Sequence, residues 1–379
     1  MRYVLLGDGQ SPHLLKWARV LAPQVELWAA SSRGFATGFD ALVPPGRRLA
    51  LGTRPDFEGG NAALLRQLPR LAAWLRGVRA DWIHAHYLTS HGTLAWAATR
   101  FLGVPGRVVG SAWGSDILVT PQRSAVLRWL TRRVLRACAL ATSDSQVMTD
   151  RMRELGAGEV MTFPFGLEDL PSLPAAGQRG DHCFFANRGL EPIYRPQEVL
   201  RLFAAIATAW PDVRLVVAND GSLRQALQAQ AAALGLASRV RFVGRLSAAD
   251  QSVQYAQARW YLSLPESDSV SVSVLEAMAQ GCIPVLSDLP ANRELVRSGD
   301  NGLVLDGASA PAAGVLMPQV LMPQALMPQA LMPTLDALLA RGEAIAAANH
   351  AWVAQHAMFG PAVTVFLARL REIQATGPR

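Results

Sequence analysis

The feature that most constrains this chain is a rhythm of short apolar runs separated by helix-period stretches. The runs are YVLLG (3 to 7), VELWAA (25 to 30), DWIHAH (81 to 86), RVVGSAW (107 to 113), LATSD (140 to 144) and VMTFPFG (160 to 166). Runs this short and this apolar suit strands buried on both faces, and the stretches between them suit helical crossovers. At EDLPSLPAAGQRGD (168 to 181) proline and glycine mark a linker. The rhythm then restarts with HCFFANR (182 to 188), VRLVVAND (213 to 220), RVRFVG (239 to 244), RWYLSLP (259 to 265), CIPVLSD (282 to 288) and GLVLDG (302 to 307). A chain of 379 residues is long enough for two domains. The expectation is an α/β protein of two doubly wound parallel-sheet domains, residues 1–170 and 182–359, joined by a linker at 171–181. Ligands of open α/β sheets collect at the carboxyl ends of the strands, so two such domains facing each other would bind across a cleft.

Half of the residues are hydrophobic and 17% are charged, a composition that argues against wholesale disorder. The net charge of +7 is almost entirely arginine, since Lys16 is the sole lysine. Such basicity favours anionic partners, but there is no zinc-finger spacing and no basic run interleaved with aromatics, so phosphate is expected rather than nucleic acid. Cys138, Cys183 and Cys282 are odd in number, far apart and set in apolar contexts, as in a reducing cytoplasm. The apolar run of MRYVLLGDGQ is too short for a signal sequence or membrane span. VLMPQVLMPQALMPQALMPT (315 to 334) repeats a five-residue unit whose prolines argue against a regular helix. It reads as a repeat expansion in a surface connection, or alternatively as a proline-rich partner arm.

Five stretches carry candidate chemistry. GDGQSPH (7 to 13) joins a strand to a helix beginning near Leu14. Gly7 and Gly9 there permit close backbone approach to an anion, or simply a tight turn; without the third glycine of a dinucleotide fingerprint, NAD is not expected. In DWIHAHYLTSHG (81 to 92) alternation puts His84 and His86 on one face. No third ligand accompanies them, so no metal site is expected. His86 sits closer to the carboxyl end of its strand, His91 reads as a loop residue, and Asp81 caps the strand start. In SAWGSDI (111 to 117) Asp116 could bind an acceptor hydroxyl or cap a helix. In FFANRGLEPIYRPQ (184 to 197) Arg188 and Arg195 could clamp a diphosphate. In DSVSVSVLEAMAQG (268 to 281) the spacing Ser273 to Glu276 fits a capping box. The preceding small residues, through Ser271, Val272 and Ser273, could equally cradle an anion with their amides, beside a glutamate able to accept two ribose hydroxyls.

Together PESDSVSVSVLEAMAQGCIPVLSD, SPHLLKW, DWIHAHY, SAWGSDI, VVANDG, RVRFVG and NGLVLDG resemble, in order, the retaining glycosyltransferases of the GT4 family (glycosyl transferases group 1). The resemblance implies the GT-B fold of two Rossmann-like domains, with a last helix (360–379) returning to the first domain. It implies a UDP- or GDP-linked sugar donor, no divalent metal or other cofactor, and a carbohydrate or lipid-linked acceptor in surface polysaccharide or glycoconjugate assembly. By the same resemblance Glu276 binds the donor ribose, Asp268 faces the transferred sugar, Arg188 binds the diphosphate and His86 lines the sugar site. Gly9 would lie near the donor phosphates, and Gly7, Ser11, His13 and Asp116 on the acceptor side. The sequence departs from the family pattern in four places: Asp268 replaces a glutamate, Ser269, Val270 and Ser271 replace Gly-Phe-Gly, Arg195 stands in for a lysine, and Arg259 replaces an aspartate. A nucleotide-sugar epimerase and a non-catalytic binding subunit are the competing readings. In QRSAVLRWLTRRVLRA (122 to 137) arginines recur every fourth residue opposite Leu127, Leu130 and Val134, which fits an ordinary surface helix or one lying on a membrane.

Overall fold

A computed structural model of the chain describes residues 1–53, 62–305 and 328–376, with side chains of the last stretch from 331 onward. It divides into two units, Met1–Pro164 with Phe359–Arg379, and Phe165–Met358. The first boundary thus lies earlier than the 170/171 expected from the proline-rich text.

In the first unit seven parallel strands form one sheet: β1 (Arg2–Gly7), β2 (Glu26–Ser31), β3 (Arg48–Ala50), β4 (Trp82–His86), β5 (Arg107–Ser111), β6 (Cys138–Ser143) and β7 (Val160–Thr162). Their order is β3-β2-β1-β4-β5-β6-β7. Strand β3 gave no apolar run because its three residues lie at the sheet edge and none is buried. Alternation along β1 sends Val4 and Leu6 into a core with Leu71 and Leu75 of helix Leu68–Val78, Leu94 of Thr93–Phe101 and Val134 of Ala125–Ala137. The other face is aromatic. Trp17, from helix Pro12–Leu21, meets Phe359 and Phe366 of helix Phe359–Thr376 edge to face at 5.0 and 5.4 Å. Buried Phe359, Val363, Phe366, Leu367 and Leu370 form one stripe of that last helix. At its far end Arg107 Nη1 donates to Ile373 O at 2.7 Å, and Arg369 pairs with Glu159. Asp81 acts as expected at the strand start: its Oδ2 accepts from Arg2 N at 2.7 Å.

The second unit repeats the plan with six parallel strands: β8 (Gly180–Ala186), β9 (Arg214–Ala218), β10 (Val240–Gly244), β11 (Ala258–Ser263), β12 (Ile283–Ser287) and β13 (Leu303–Leu305). The order is β10-β9-β8-β11-β12-β13, so in each sheet the direction of winding reverses beside the first strand. One face packs Phe184, Trp260 and Val285 against Leu202 and Phe203 of helix Pro196–Ala209 and Leu335 and Leu338 of helix Pro328–Ala340. The other packs Phe185 and Tyr261 against Tyr255, Leu275 and Met278.

The proline repeat requires a correction. Its residues up to 327 lie outside the described ones, but the last unit, expected not to be helical, lies in Pro328–Ala340 with Pro333 inside. A proline there sacrifices one helical hydrogen bond, costing about 3 kcal/mol. Burial of Leu331, Met332, Leu335 and Leu338 on one side offsets that cost, while Pro333 itself faces outward.

Candidate active site

The winding of the second sheet reverses between β8 and β11, and the segments leaving those two strands bring an arginine and two carboxylates together. Arg188 follows β8. Its Nη2 donates to Asp268 Oδ2 at 2.6 Å, and its Nη1 to Ser273 Oγ at 3.2 Å and to Ser271 Oγ. The guanidinium carbon stands 4.5 Å from the centre of the Tyr194 ring, a cation–π contact. Asp268 divides its oxygens, Oδ1 accepting from Ser269 N at 3.0 Å while Oδ2 takes Arg188. Burial pulls the Arg188 guanidinium down, but Asp268 and the neighbouring tyrosines outweigh it and the net direction is up. Burial pushes Asp268 up against the pull of Arg188 and the Ser269 amide. Glu266 N donates to Ile193 O at 2.9 Å, tying the loop that carries Asp268 to the one that carries Tyr194.

Glu276 corrects the capping-box reading. Helix Val272–Ala279 has Ser271 at its N-cap with no side-chain cap, which places Glu276 at the fifth helical residue, beyond capping reach. Its Oε2 instead accepts from Tyr255 Oη at 3.0 Å. Behind it runs a buried network: Asn187 Nδ2 donates to Tyr255 Oη at 2.7 Å, and Tyr261 Oη bonds Asn187 Oδ1 at 2.7 Å and Ser273 Oγ at 2.8 Å. Burial holds both tyrosines protonated, with pKa values pushed above the ordinary 10.0. Sequence reading missed Asn187, Tyr194, Tyr255 and Tyr261. The only local signal was polar residues at strand ends and one tyrosine in an otherwise small and polar helix. Val272 and Ser273 begin the helix, where backbone N–H groups lack intrahelical acceptors.

The other two arginines differ from Arg188. Arg195 adopts a left-handed conformation (φ 48°) at the start of helix Pro196–Ala209, directly after Tyr194. Arg259 lies at the amino end of β11, buried, pairing with Asp181 at 3.0 Å and Glu343 at 2.8 Å; Arg179 shares Glu343 at 3.3 Å. Its departure from the family pattern therefore concerns the end of the strand remote from Arg188.

In the first unit the winding reverses between β1 and β4, and His86 closes β4. His86 is buried; Trp113 Nε1 donates to its Nδ1 at 3.2 Å. The bond leaves the proton on Nε2, which is buried and has no partner among the described residues. Burial, then like-charge repulsion from His84, His91 and His13, lowers its pKa well below 6.5, so the ring is neutral near pH 7. His84 shares that face, its ring 4.3 Å from His86, but both its nitrogens are engaged, with Tyr3 Oη at 2.8 Å and Ser111 Oγ at 2.6 Å. His91, expected in a loop, is buried in the turn Tyr87–Gly92, bonding His86 O at 2.8 Å.

Asp116 does not act as the N-cap of the following helix, Ser115–Leu118, whose N-cap is Gly114 with no side-chain cap. Oδ1 accepts from Trp113 N at 2.9 Å and Oδ2 from Leu88 N at 2.8 Å, clamping together the loops after β4 and β5; burial raises its pKa to about 6. Ser11 caps helix Pro12–Leu21, accepting from His13 N, and the helix starts two residues before Leu14. The His13 ring lies 4.6 Å from Trp113, and Tyr87 stacks on Trp113 at 6.0 Å. Gly9 N donates to Ser31 Oγ at 2.8 Å, and a Cβ there would strike Phe35 at 2.6 Å. At Gly7 it would meet Leu14 at 2.8 Å and His86 Cβ at 3.3 Å. Both glycines therefore serve local packing. Among the described residues no group of three or more histidines, cysteines or carboxylates is placed to hold a metal.

A family model for glycosyl transferases group 1 matches residues 181–321, and one for glycosyl transferase 4-like proteins matches residues 3–145. The phosphatidyl-myo-inositol mannosyltransferase of Mycobacterium leprae is 26% identical over 324 residues, covering 82% of this chain and 83% of that protein. The GDP-mannose:cellobiosyl-diphosphopolyprenol alpha-mannosyltransferase of Xanthomonas campestris is 29% identical over 115 residues, 29% of each chain. Among solved structures, the sucrose-phosphate synthase of Thermosynechococcus elongatus superposes with a TM-score of 0.76 at 14% identity, covering all of both chains. The Anabaena protein HepE in complex with UDP superposes with a TM-score of 0.74 at 14% identity, covering 98% of this chain and 100% of that one. These superpositions establish the GT-B fold. With family models matching both halves, the chain belongs to the GT4 family of glycosyltransferases.

Proposed function

We propose that this enzyme transfers a hexose-type sugar, with retention and without a divalent metal, from a UDP- or GDP-linked donor to a hydroxyl of a carbohydrate or lipid-linked acceptor. The observation that carries the reading is the convergence of Arg188, Asp268 and Glu276 where the winding of the second sheet reverses. Arg188, charged and already oriented by two serines and a tyrosine ring, stabilises the charge that grows on the departing diphosphate. The amides of Val272 and Ser273 add to that field. Glu276, steadied by Tyr255, accepts the ribose hydroxyls, and Asp268 accepts from the transferred sugar. In the first unit, neutral His86 offers Nε2–H to a sugar hydroxyl. Arg195 serves as an outer phosphate cation and Gly9 lies on the donor-phosphate side, while Gly7, Ser11, His13 and Asp116 shape the acceptor side through packing and capping. No protein nucleophile is required. Relatives named for phosphatidyl-myo-inositol and diphosphopolyprenol acceptors support an acceptor carried on lipid; we place its use in the cytoplasm, in assembly of a surface glycoconjugate.

Glu276→Ala tests the reading. Transfer, followed as release of UDP or GDP in the presence of acceptor, should fall by at least about a hundredfold, as on losing a paired charged hydrogen bond, while circular dichroism stays native. Undiminished turnover refutes the assignment.

A peripheral membrane contact has its own support. On helix Ala125–Ala137, Arg128, Arg132, Arg133 and Arg136 line a shallow groove with Trp129, and among the described residues none of the four pairs with a carboxylate. Val126 is 71% and Trp129 52% exposed. Trp96 joins Trp129 to Phe101, itself 64% exposed, through edge-to-face contacts of 6.3 and 5.3 Å. Exposed aromatics ringed by arginine suit the headgroup layer of an anionic bilayer. No helix among the described residues is long and apolar enough to cross a membrane.

A further inference from the structure

We infer that Asp268 distinguishes the sugar-bearing donor from the spent nucleoside diphosphate, by competing with phosphate for Arg188 whenever no sugar occupies the site. The inference rests on the assignment of Arg188 as the diphosphate ligand. Asp268 Oδ2 accepts from Arg188 Nη2 at 2.6 Å, the place a phosphate oxygen would take on that guanidinium. The pair is substantially withdrawn from solvent, with 17% of the arginine and 23% of the aspartate side chain exposed, so the two charges are only partly screened. Ser271 and Ser273 hold the other guanidinium nitrogen and Tyr194 its face, so Arg188 has little freedom to swing to a ligand elsewhere. An incoming diphosphate must therefore share or displace Asp268.

The two nucleotides differ in what they return for that displacement. A nucleotide sugar brings hydroxyl donors that satisfy the carboxylate once its arginine is shared. A free nucleoside diphosphate brings none, and its terminal phosphate carries additional negative charge beside Asp268. The carboxylate is also anchored, since Oδ1 accepts from Ser269 N, and cannot simply turn away. Asp268 thus selects against product at the moment when product must leave.

The test is calorimetric titration of UDP, GDP and their hexose conjugates into the wild type, Asp268→Asn, Arg188→Ala and the double variant, each checked for native circular dichroism. Asp268→Asn should bind the free diphosphate at least about fivefold more tightly, as expected when the charged competitor for Arg188 is removed from a partly buried site, with no gain for the sugar conjugate. In the Arg188→Ala background the same replacement should have much less effect, because the competition requires both partners. Unchanged or weaker diphosphate binding by Asp268→Asn overturns the inference, as does an equal gain for product and donor, or a gain that survives loss of Arg188. The underlying assignment fails separately, if no nucleotide binds the wild type or if Arg188→Ala leaves diphosphate affinity unchanged.

Discussion

Trp113 gives His86 a defined proton. With the indole N–H on Nδ1 at 3.2 Å, the imidazole must carry its hydrogen on Nε2, and burial among three other histidines keeps it neutral. Trp113→Phe keeps an aromatic ring beside His13 and Tyr87 but deletes the donor. The expected outcome is a fall in kcat of about tenfold with the donor KM little changed, in keeping with one neutral hydrogen bond. Nitrogen-15 chemical shifts of His86 should move from a single Nε2–H tautomer to a mixture; an unaltered tautomer would sink the argument. At this scale the sequence exposed the charged half of the site. Arg188, Asp268 and Glu276 stand out because charge at a strand end or in an apolar run is conspicuous. Their supports were hidden: Tyr255, Tyr261 and Asn187 meet only through tertiary contacts between segments distant in the chain. Asp116 was ambiguous for the same reason, since its partner Leu88 belongs to a different loop.

Helix Ala125–Ala137 illustrates what an element's periodicity does and does not reveal. The four-residue spacing of its arginines was readable, and Thr131, Val134 and Leu135 turn inward as amphipathicity requires. The aromatic ladder through Trp96 to Phe101 was not, because it crosses to helix Thr93–Phe101. Flotation with phosphatidylglycerol vesicles at low salt should recover the protein, and raised salt or zwitterionic vesicles should release it. Replacing Arg128, Arg132 and Arg133 with Glu should reduce partitioning by at least about a hundredfold, at roughly 1 kcal/mol per basic residue near the surface. Failure of the wild type to float at low salt would leave an ordinary solvated helix. Strands β1, β4 and β8 announced themselves as apolar runs, whereas edge strand β3 and the helical end of the proline repeat did not. In both cases tertiary packing overrides a weak or contrary local preference.

Across the whole molecule, buried titratable groups set a pH window for stability. His84 and His91, whose pKa values burial lowers from 6.5 to about 3 and about 4, must stay neutral in the folded first unit, as must His86. Below pH 6.5 the unfolded chain takes up protons that the folded one refuses, so stability falls as pH drops, by about 1.4 kcal/mol per pH unit for each such group. Asp116 opposes this. Its folded pKa of about 6 exceeds the ordinary 3.8, so between those values the folded state binds the extra proton and gains stability on acidification, offsetting one histidine of the three. On the alkaline side burial raises Cys138 and Cys282 from 9.0 to about 12; their contribution is complete below pH 9 and is lost as pH rises toward 12. Urea midpoints followed by circular dichroism should therefore be nearly flat from about pH 6.5 to 9 and decline on both sides. Cys138→Ala with Cys282→Ala should flatten the decline between about pH 9 and 10, below the range where the buried tyrosines add to it, without altering the acid limb, apart from a uniform loss from the two small cavities. An alkaline limb unchanged in that variant, or midpoints that rise on acidification from pH 6.5 to 4.5, would show that other groups govern the window.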